Sequence, residues 1–105
     1  MDNKPRVVKD YDTLDPELQE KVKLAYPFGF EDHLITFYNS HGETVTALPY
    51  DGEEKVYLIR MSKTLAAKLI RLDDDYDDDG NLRSDVKEEY EEKYEGEEDF
   101  YIGDE

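Results

Sequence analysis

Apolar residues recur every three or four positions in the first quarter of the chain, which is the spacing of an amphipathic helix. The residues that share this face are Leu14, Leu18, Val22 and Ala25. Asp15 is placed to cap the helix, and Pro16 suits its first position. The segment "YPFGF" at 26–30 ends it, because Pro27 disfavours helix at the residue before it, while Gly29 allows a sharp turn with two phenylalanine anchors.

The pattern then changes to that of β-strands. Three runs rich in β-branched and aromatic residues, "HLITFYN", "TVTALPY" and "KVYLIRM", are separated by the turn sequences "SHGE" and "DGEE". We predict a three-stranded antiparallel meander, with the "RVV" at 6–8 as a candidate edge strand. "SKTLAAKLIRL" then predicts a second helix, capped by Ser62 and packed on the sheet. The expected fold class is α+β.

Charge divides the chain after Leu72. Residues 1–72 hold 12 acidic and 10 basic side chains, whereas residues 73–105 hold 17 acidic and 3 basic ones. In the second part only Val86, Tyr90 and Tyr94 keep a helical spacing, which predicts a short helix near 84–95. We therefore predict a small α+β domain at 1–72 and an acidic tail at 73–105, helical in part and otherwise disordered.

Composition narrows the function classes. The chain has no cysteine, which excludes disulfides and thiolate chemistry and suits a reducing cytoplasm. Its N-terminus lacks the apolar core of a signal peptide, and no apolar run is long enough for a membrane span. The net charge of −16 argues against nucleic acid and anionic lipid as direct partners, because phosphates would be repelled. We expect a soluble cytoplasmic protein.

The stretch "DDDYDDDGNL" resembles the first half of an EF-hand calcium loop. With Gly80 as the sixth-position glycine, Asp75, Asp77 and Asp79 fall at positions one, three and five, and Asn81 would offer its carbonyl at position seven. The second half departs from the motif, because Val86 stands where a bidentate carboxylate should close the site. Weak Ca²⁺ binding is therefore an alternative function, and a solvated acidic linker is the simpler interpretation.

Aromatic residues are interleaved with carboxylates throughout the acidic tail. They are Tyr76, Tyr90, Tyr94, Phe100 and Tyr101. Carboxylates steer a basic surface toward the tail, and aromatic rings can stack on its arginines. We therefore predict a non-enzymatic binding or regulatory protein whose tail engages a basic protein surface, with a purely structural or solubilising role as a further alternative.

Catalytic signals are weak. His33 and His41 flank or interrupt the predicted hairpin, where exposed polar residues are common, and no phosphate-binding loop, nucleophile elbow or HExxH helix occurs in the sequence. We expect no enzyme activity and no cofactor other than the Ca²⁺ considered above.

Three stretches together, "YPFGFEDHLITFYN", "ALPY" and "DDDYDDDGNL", resemble a family of small, acidic bacterial proteins of unknown function. In that family an aromatic-glycine turn, a short sheet and an aspartate-rich tail recur. The resemblance implies a bacterial cytosolic protein, and it supplies no activity or binding residues.

Overall fold

The computed structural model describes the backbone of residues 4–103 and the side chains of residues 4–95. The strands are β1 (Arg6–Asp10), β2 (Ile35–Tyr38), β3 (Thr44–Asp51) and β4 (Val56–Arg60). The helices are α1 (Pro16–Ala25), α2 (Lys63–Leu72) and α3 (Ser84–Gly103), with short 3-10 helices at Tyr11–Thr13 and Glu31–His33. Within these described residues, no helix is long and apolar enough to cross a membrane.

The sheet confirms the α+β class and corrects the predicted topology. Strands β2, β3 and β4 form antiparallel pairs in sequence order, as a meander does. The sheet nevertheless has four strands in the order β1-β4-β3-β2, because β1 pairs with β4 in parallel from Arg6↔Val56 to Asp10↔Arg60. A three-stranded antiparallel meander was therefore too simple a prediction. Parallel partners are joined by long crossovers, so no turn sequence marks such a pair.

Side-chain caps fix where the first two long helices begin. The carboxylate of Asp15 accepts a hydrogen bond from the Leu18 backbone N–H at 2.9 Å. The hydroxyl of Ser62 does the same for Leu65 at 3.0 Å. Each cap satisfies a backbone donor that has no partner inside its helix, which is why these two helices start where the sequence predicts.

The core lies between one face of the sheet and helices α1 and α2. The fully buried side chains that fill it include Leu48 and Ile59 from the sheet, Val22 from α1, Ala66 from α2 and Phe30 from the turn after α1. Phe30 is therefore one of the two aromatic anchors that the "YPFGF" segment predicts.

Residues beyond the predicted boundary at 72 also contribute to this core. Tyr76 and Leu82 are buried in it, and α3 packs against α1. Helix α3 begins at Ser84, where the predicted short helix begins, and its backbone continues past Gly96 to Gly103. The boundary coincides with the end of α2, and the division into a 1–72 domain and a 73–105 tail stays a prediction.

Candidate functional site

The aspartate-rich stretch folds into a tight turn. Tyr76 and Leu82 form an antiparallel bridge, and between them the Asp77 N–H donates to the Asn81 carbonyl at 2.8 Å. Gly80 has a φ of +82°, in the left-handed region that favours glycine, and its N–H donates to the Asp77 carbonyl at 3.0 Å. The glycine thus reverses the chain direction within a few residues.

Two of the aspartates stabilise this segment through their own side chains. One carboxylate oxygen of Asp77 accepts from the backbone N–H groups of Asp79 and Asn81, both at 2.9 Å. Asp73 similarly accepts from the N–H of Asp75 at 2.9 Å. Aspartate favours turns for this reason, so part of the acidic composition is explained by local structure.

The predicted calcium ligands are not brought together. The Asp75 carboxylate is bonded to Lys23, Asp77 is engaged within the turn, and the Asn81 carbonyl accepts from the Asp77 backbone. Among the described residues, no three histidine, aspartate or glutamate side chains are arranged to hold a metal ion. Calcium binding by Asp75, Asp77, Asp79 and Asn81 stays a prediction, and it would require Asp75 to leave its lysine.

Lys23 of α1 attaches this stretch to the domain. Its ammonium lies 2.7 Å from an oxygen of Asp73 and 2.8 Å from an oxygen of Asp75, and the residue is only 9% exposed. The hydroxyl of Tyr90 donates to the same Asp75 oxygen at 2.7 Å. These four residues, Lys23, Asp73, Asp75 and Tyr90, form what we call the Lys23 cluster. It joins α1, the aspartate-rich stretch and α3.

Charges inside the Lys23 cluster hold one another in the ionised state. Burial alone would lower the pKa of Lys23, but its hydrogen bonds to Asp73 and Asp75 raise that pKa above the ordinary value. Burial would raise the pKa of Asp75, but the hydrogen bonds from Lys23 and Tyr90 lower it instead. Burial also raises the pKa of the neighbouring Tyr11 to about 12. Because these shifts lead away from neutrality, the cluster is suited to holding structure and not to exchanging protons.

Three of the five aromatic residues predicted to contact a partner are buried in the protein. Tyr76, Tyr90 and Tyr94 are 5%, 9% and 7% exposed. The Tyr76 hydroxyl donates to the Tyr26 carbonyl at 3.0 Å, and the Tyr94 hydroxyl donates to Glu20 at 2.6 Å. The other two predicted positions, Phe100 and Tyr101, lie outside the residues whose side chains the structure describes.

A different aromatic side chain faces solvent beside the acidic turn. Phe28, from the "YPFGF" segment, is 78% exposed. It lines a cleft of about 410 Å³ with a floor that includes Phe30, Ile70 and Tyr76. Five carboxylate side chains from two segments also line it, namely Glu31, Asp32, Asp77, Asp78 and Asp79. Arg71 also lines this cleft, so acidic side chains predominate. We call it the acidic cleft.

Neither histidine lines the acidic cleft. The His33 ring contacts the Tyr26 ring, with 4.9 Å between centroids, and His41 donates its backbone N–H to Asn39 in the turn between β2 and β3. Both side chains are exposed. Their positions match the surface polar residues that the sequence indicates.

Compared with models of protein families, with curated proteins and with solved structures, the chain has no match. The acidic cleft is therefore the main basis for inferring its function.

Proposed function

We propose that the protein is a non-enzymatic binding or regulatory protein of the cytoplasm that docks a basic segment of another protein in the acidic cleft. The observation that carries this proposal is the exposed Phe28 ring beside the exposed carboxylates of Asp77, Asp78 and Asp79. An arginine or lysine can lie on such a ring by a cation–π contact while neighbouring carboxylates neutralise its charge.

In this proposal the acidic cleft supplies the aromatic contact with the partner, which the sequence predicts for the tail tyrosines. Tyr76, Tyr90 and Tyr94 are buried and hold the acidic segment in place, whereas the Phe28 ring is exposed to solvent. The carboxylates of the aspartate-rich stretch keep their predicted contribution, because Asp77, Asp78 and Asp79 are exposed.

Helix α3 adds further acidic surface to the protein. Glu88, Glu89, Glu91 and Glu92 are exposed along it, and residues 73–105 carry a net charge of −14. A field of this sign accelerates the encounter with a basic partner and weakens as salt screens it. Each exposed contact is weak, at roughly 0.2–1 kcal/mol for an ion pair and about 0.5–1 kcal/mol for a cation–π contact, so binding requires several basic residues in the partner.

A fluorescent peptide of alternating arginine and glycine tests the proposal by fluorescence anisotropy. Substituting Phe28→Ala, or Asp78→Asn together with Asp79→Asn, should weaken binding by about five-fold or more, which corresponds to about 1 kcal/mol. Raising the salt concentration should weaken binding of the unaltered protein.

Matched controls separate the cleft from general attraction to the acidic chain. Tyr38→Ala removes another exposed aromatic ring, and Glu53→Gln with Glu54→Gln removes two exposed charges in the turn between β3 and β4. These controls should change affinity less than about two-fold, which is about 0.4 kcal/mol. Equal losses of affinity in the cleft and control variants would show that the peptide responds to net charge alone. If the peptide did not bind even at low salt, the proposal would be wrong and the solubilising role would be favoured.

A further inference from the structure

The sheet has a second apolar face, opposite the core. Side chains alternate between the two faces of a strand, so the neighbours of the core residues Leu48 and Ile59 point the other way. The apolar positions on that side are Val8, Ile35, Phe37, Val45, Ala47, Pro49, Val56 and Leu58, of which Ala47 is fully buried. We call this surface the open face.

The open face is independent of the core that the helices cover. None of these apolar side chains belongs to the core cluster or packs against it, whereas Leu48 and Ile59 share that cluster with residues of α1 and α2. Val8 is 48% exposed and Ile35 is 42% exposed. Contiguous apolar surface of this kind on a folded protein typically marks an interaction site.

Charge around the open face is nearly balanced, unlike the charge of the chain as a whole. Arg6 and Asp51 lie toward one end of the strands, where Lys4 pairs with Asp51 at 2.5 Å, and Asp10 and Arg60 lie toward the other end, so each end carries charges of both signs. Asp10 and Arg60 are already paired at 2.9 Å. A rim that carries charges of both signs does not repel a second copy of itself.

The aspartate-rich stretch and helix α3 lie on the helical side of the sheet. Helix α3 packs on α1, and the Lys23 cluster holds the aspartate-rich stretch against the same helix. Two molecules of charge −16 repel each other least when their open faces meet and their acidic helices point outward. A basic partner would instead be drawn to the helical side.

We propose that the open face binds a second copy of this chain, sheet against sheet, in a symmetric dimer. An isologous contact places the same patch on both molecules, which the balanced rim permits. Stacked sheets pack about 10 Å apart with their strands near −30° or near 90°.

The area of the open face limits the affinity of the dimer. Four strands about 4.8 Å apart and about five residues long cover roughly 300 Å², at the lower end of functional patches. A stable complex buries about 800 Å² on each partner, so the rim must contribute and the dimer should be weak, with a Kd of micromolar order or above.

Sedimentation equilibrium over protein concentrations from about 10 μM to 1 mM tests the dimer. The dimer fraction should rise with concentration, and it should also rise as salt is raised from about 0.05 to 0.5 M, because salt screens the repulsion between acidic chains. Binding of the basic peptide should respond to salt in the opposite direction, so the two proposals can fail separately.

A pair of variants locates the contact. Val8→Glu with Ile35→Glu should weaken the dimer at least ten-fold, whereas Tyr38→Glu with Leu72→Glu adds the same charge at exposed positions off the open face and should change it less than about two-fold. On dilution of the unaltered protein, the amide NMR signals of Ala47 and Leu58 should shift while that of Asp78 stays constant.

Three results would overturn the proposal. They are a monomer at every concentration and salt, a dimer that resists the Val8 and Ile35 substitutions, and a mass that grows beyond two copies. The last two would indicate pairing through the exposed strand edges instead of the open face.

Discussion

Replacing Lys23 with methionine removes the positive charge of the Lys23 cluster while keeping a long side chain for packing. We expect the free energy of unfolding to fall by about 2–3 kcal/mol. Removing one partner of a fully buried ion pair costs about 3–5 kcal/mol, because the remaining charge is left uncompensated. The side chains of Asp73 and Asp75 retain 22% and 23% exposure, so water compensates them in part and the smaller figure applies.

Urea unfolding at neutral pH, followed by circular dichroism, measures this loss. A change of this size corresponds to a fall in Tm of roughly 10–20 °C for a domain of about 100 residues. Lys63→Met is the matched control, because Lys63 is 74% exposed and lies 3.9 Å from Glu31. It should cost less than about 0.5 kcal/mol.

A second substitution tests whether uncompensated negative charge causes this loss of stability. Adding Asp75→Asn to Lys23→Met removes one of the stranded charges and should recover part of the lost stability, so the two changes should not be additive. If Lys23→Met stays within about 0.5 kcal/mol of the unaltered protein, or if Asp75→Asn adds its full cost on top, the reasoning is refuted.

Three further predictions concern the pH dependence of stability and the acidic turn. Because the pKa of Asp75 is lowered in the folded protein, its contribution to stability is present above about pH 4 and is lost as the pH falls below that value. When urea unfolding is measured between about pH 6 and 2, the free energy of unfolding should therefore depend less on pH in Asp75→Asn than in the unaltered protein. At high pH the raised pKa of Tyr11, about 12, makes stability fall as the pH rises above about 10, and Tyr11→Phe should reduce that fall. Gly80→Ala should cost about 1–2 kcal/mol in the same assay, because its φ of +82° is strained for alanine, while Gly80→Asn should cost less. Equal stability of all three Gly80 proteins would contradict the turn geometry.

Local signals explain which parts of the fold were predictable. Helix α1 and helix α2 follow from apolar spacing and from the caps at Asp15 and Ser62, and the order β2, β3, β4 follows from short turns between β-rich runs. The parallel pairing of β1 with β4 has no such signal, because its partner lies 50 residues away and the strand is only five residues long.

The candidate site was harder to predict because composition concealed its apolar residues. Tyr76 and Leu82 are isolated among polar and acidic neighbours, yet both reach the core. The sequence does not indicate that Lys23 is buried, since a lysine in an amphipathic helix usually faces solvent. The "YPFGF" segment did indicate two aromatic side chains at a sharp turn, but only the structure shows that Phe30 is inside and Phe28 outside.

Two contacts join parts of the chain that are about 50 residues apart, and these separations affect the order of folding. Arg60 meets Asp10, and Lys23 meets Asp75, across separations of 50 and 52 residues. Closing loops of that length costs chain entropy before any long-range contact repays it. We therefore expect the β2–β3–β4 meander to assemble first, and β1 and the aspartate-rich stretch to join it late and cooperatively, since either closure brings the second pair of segments nearer together.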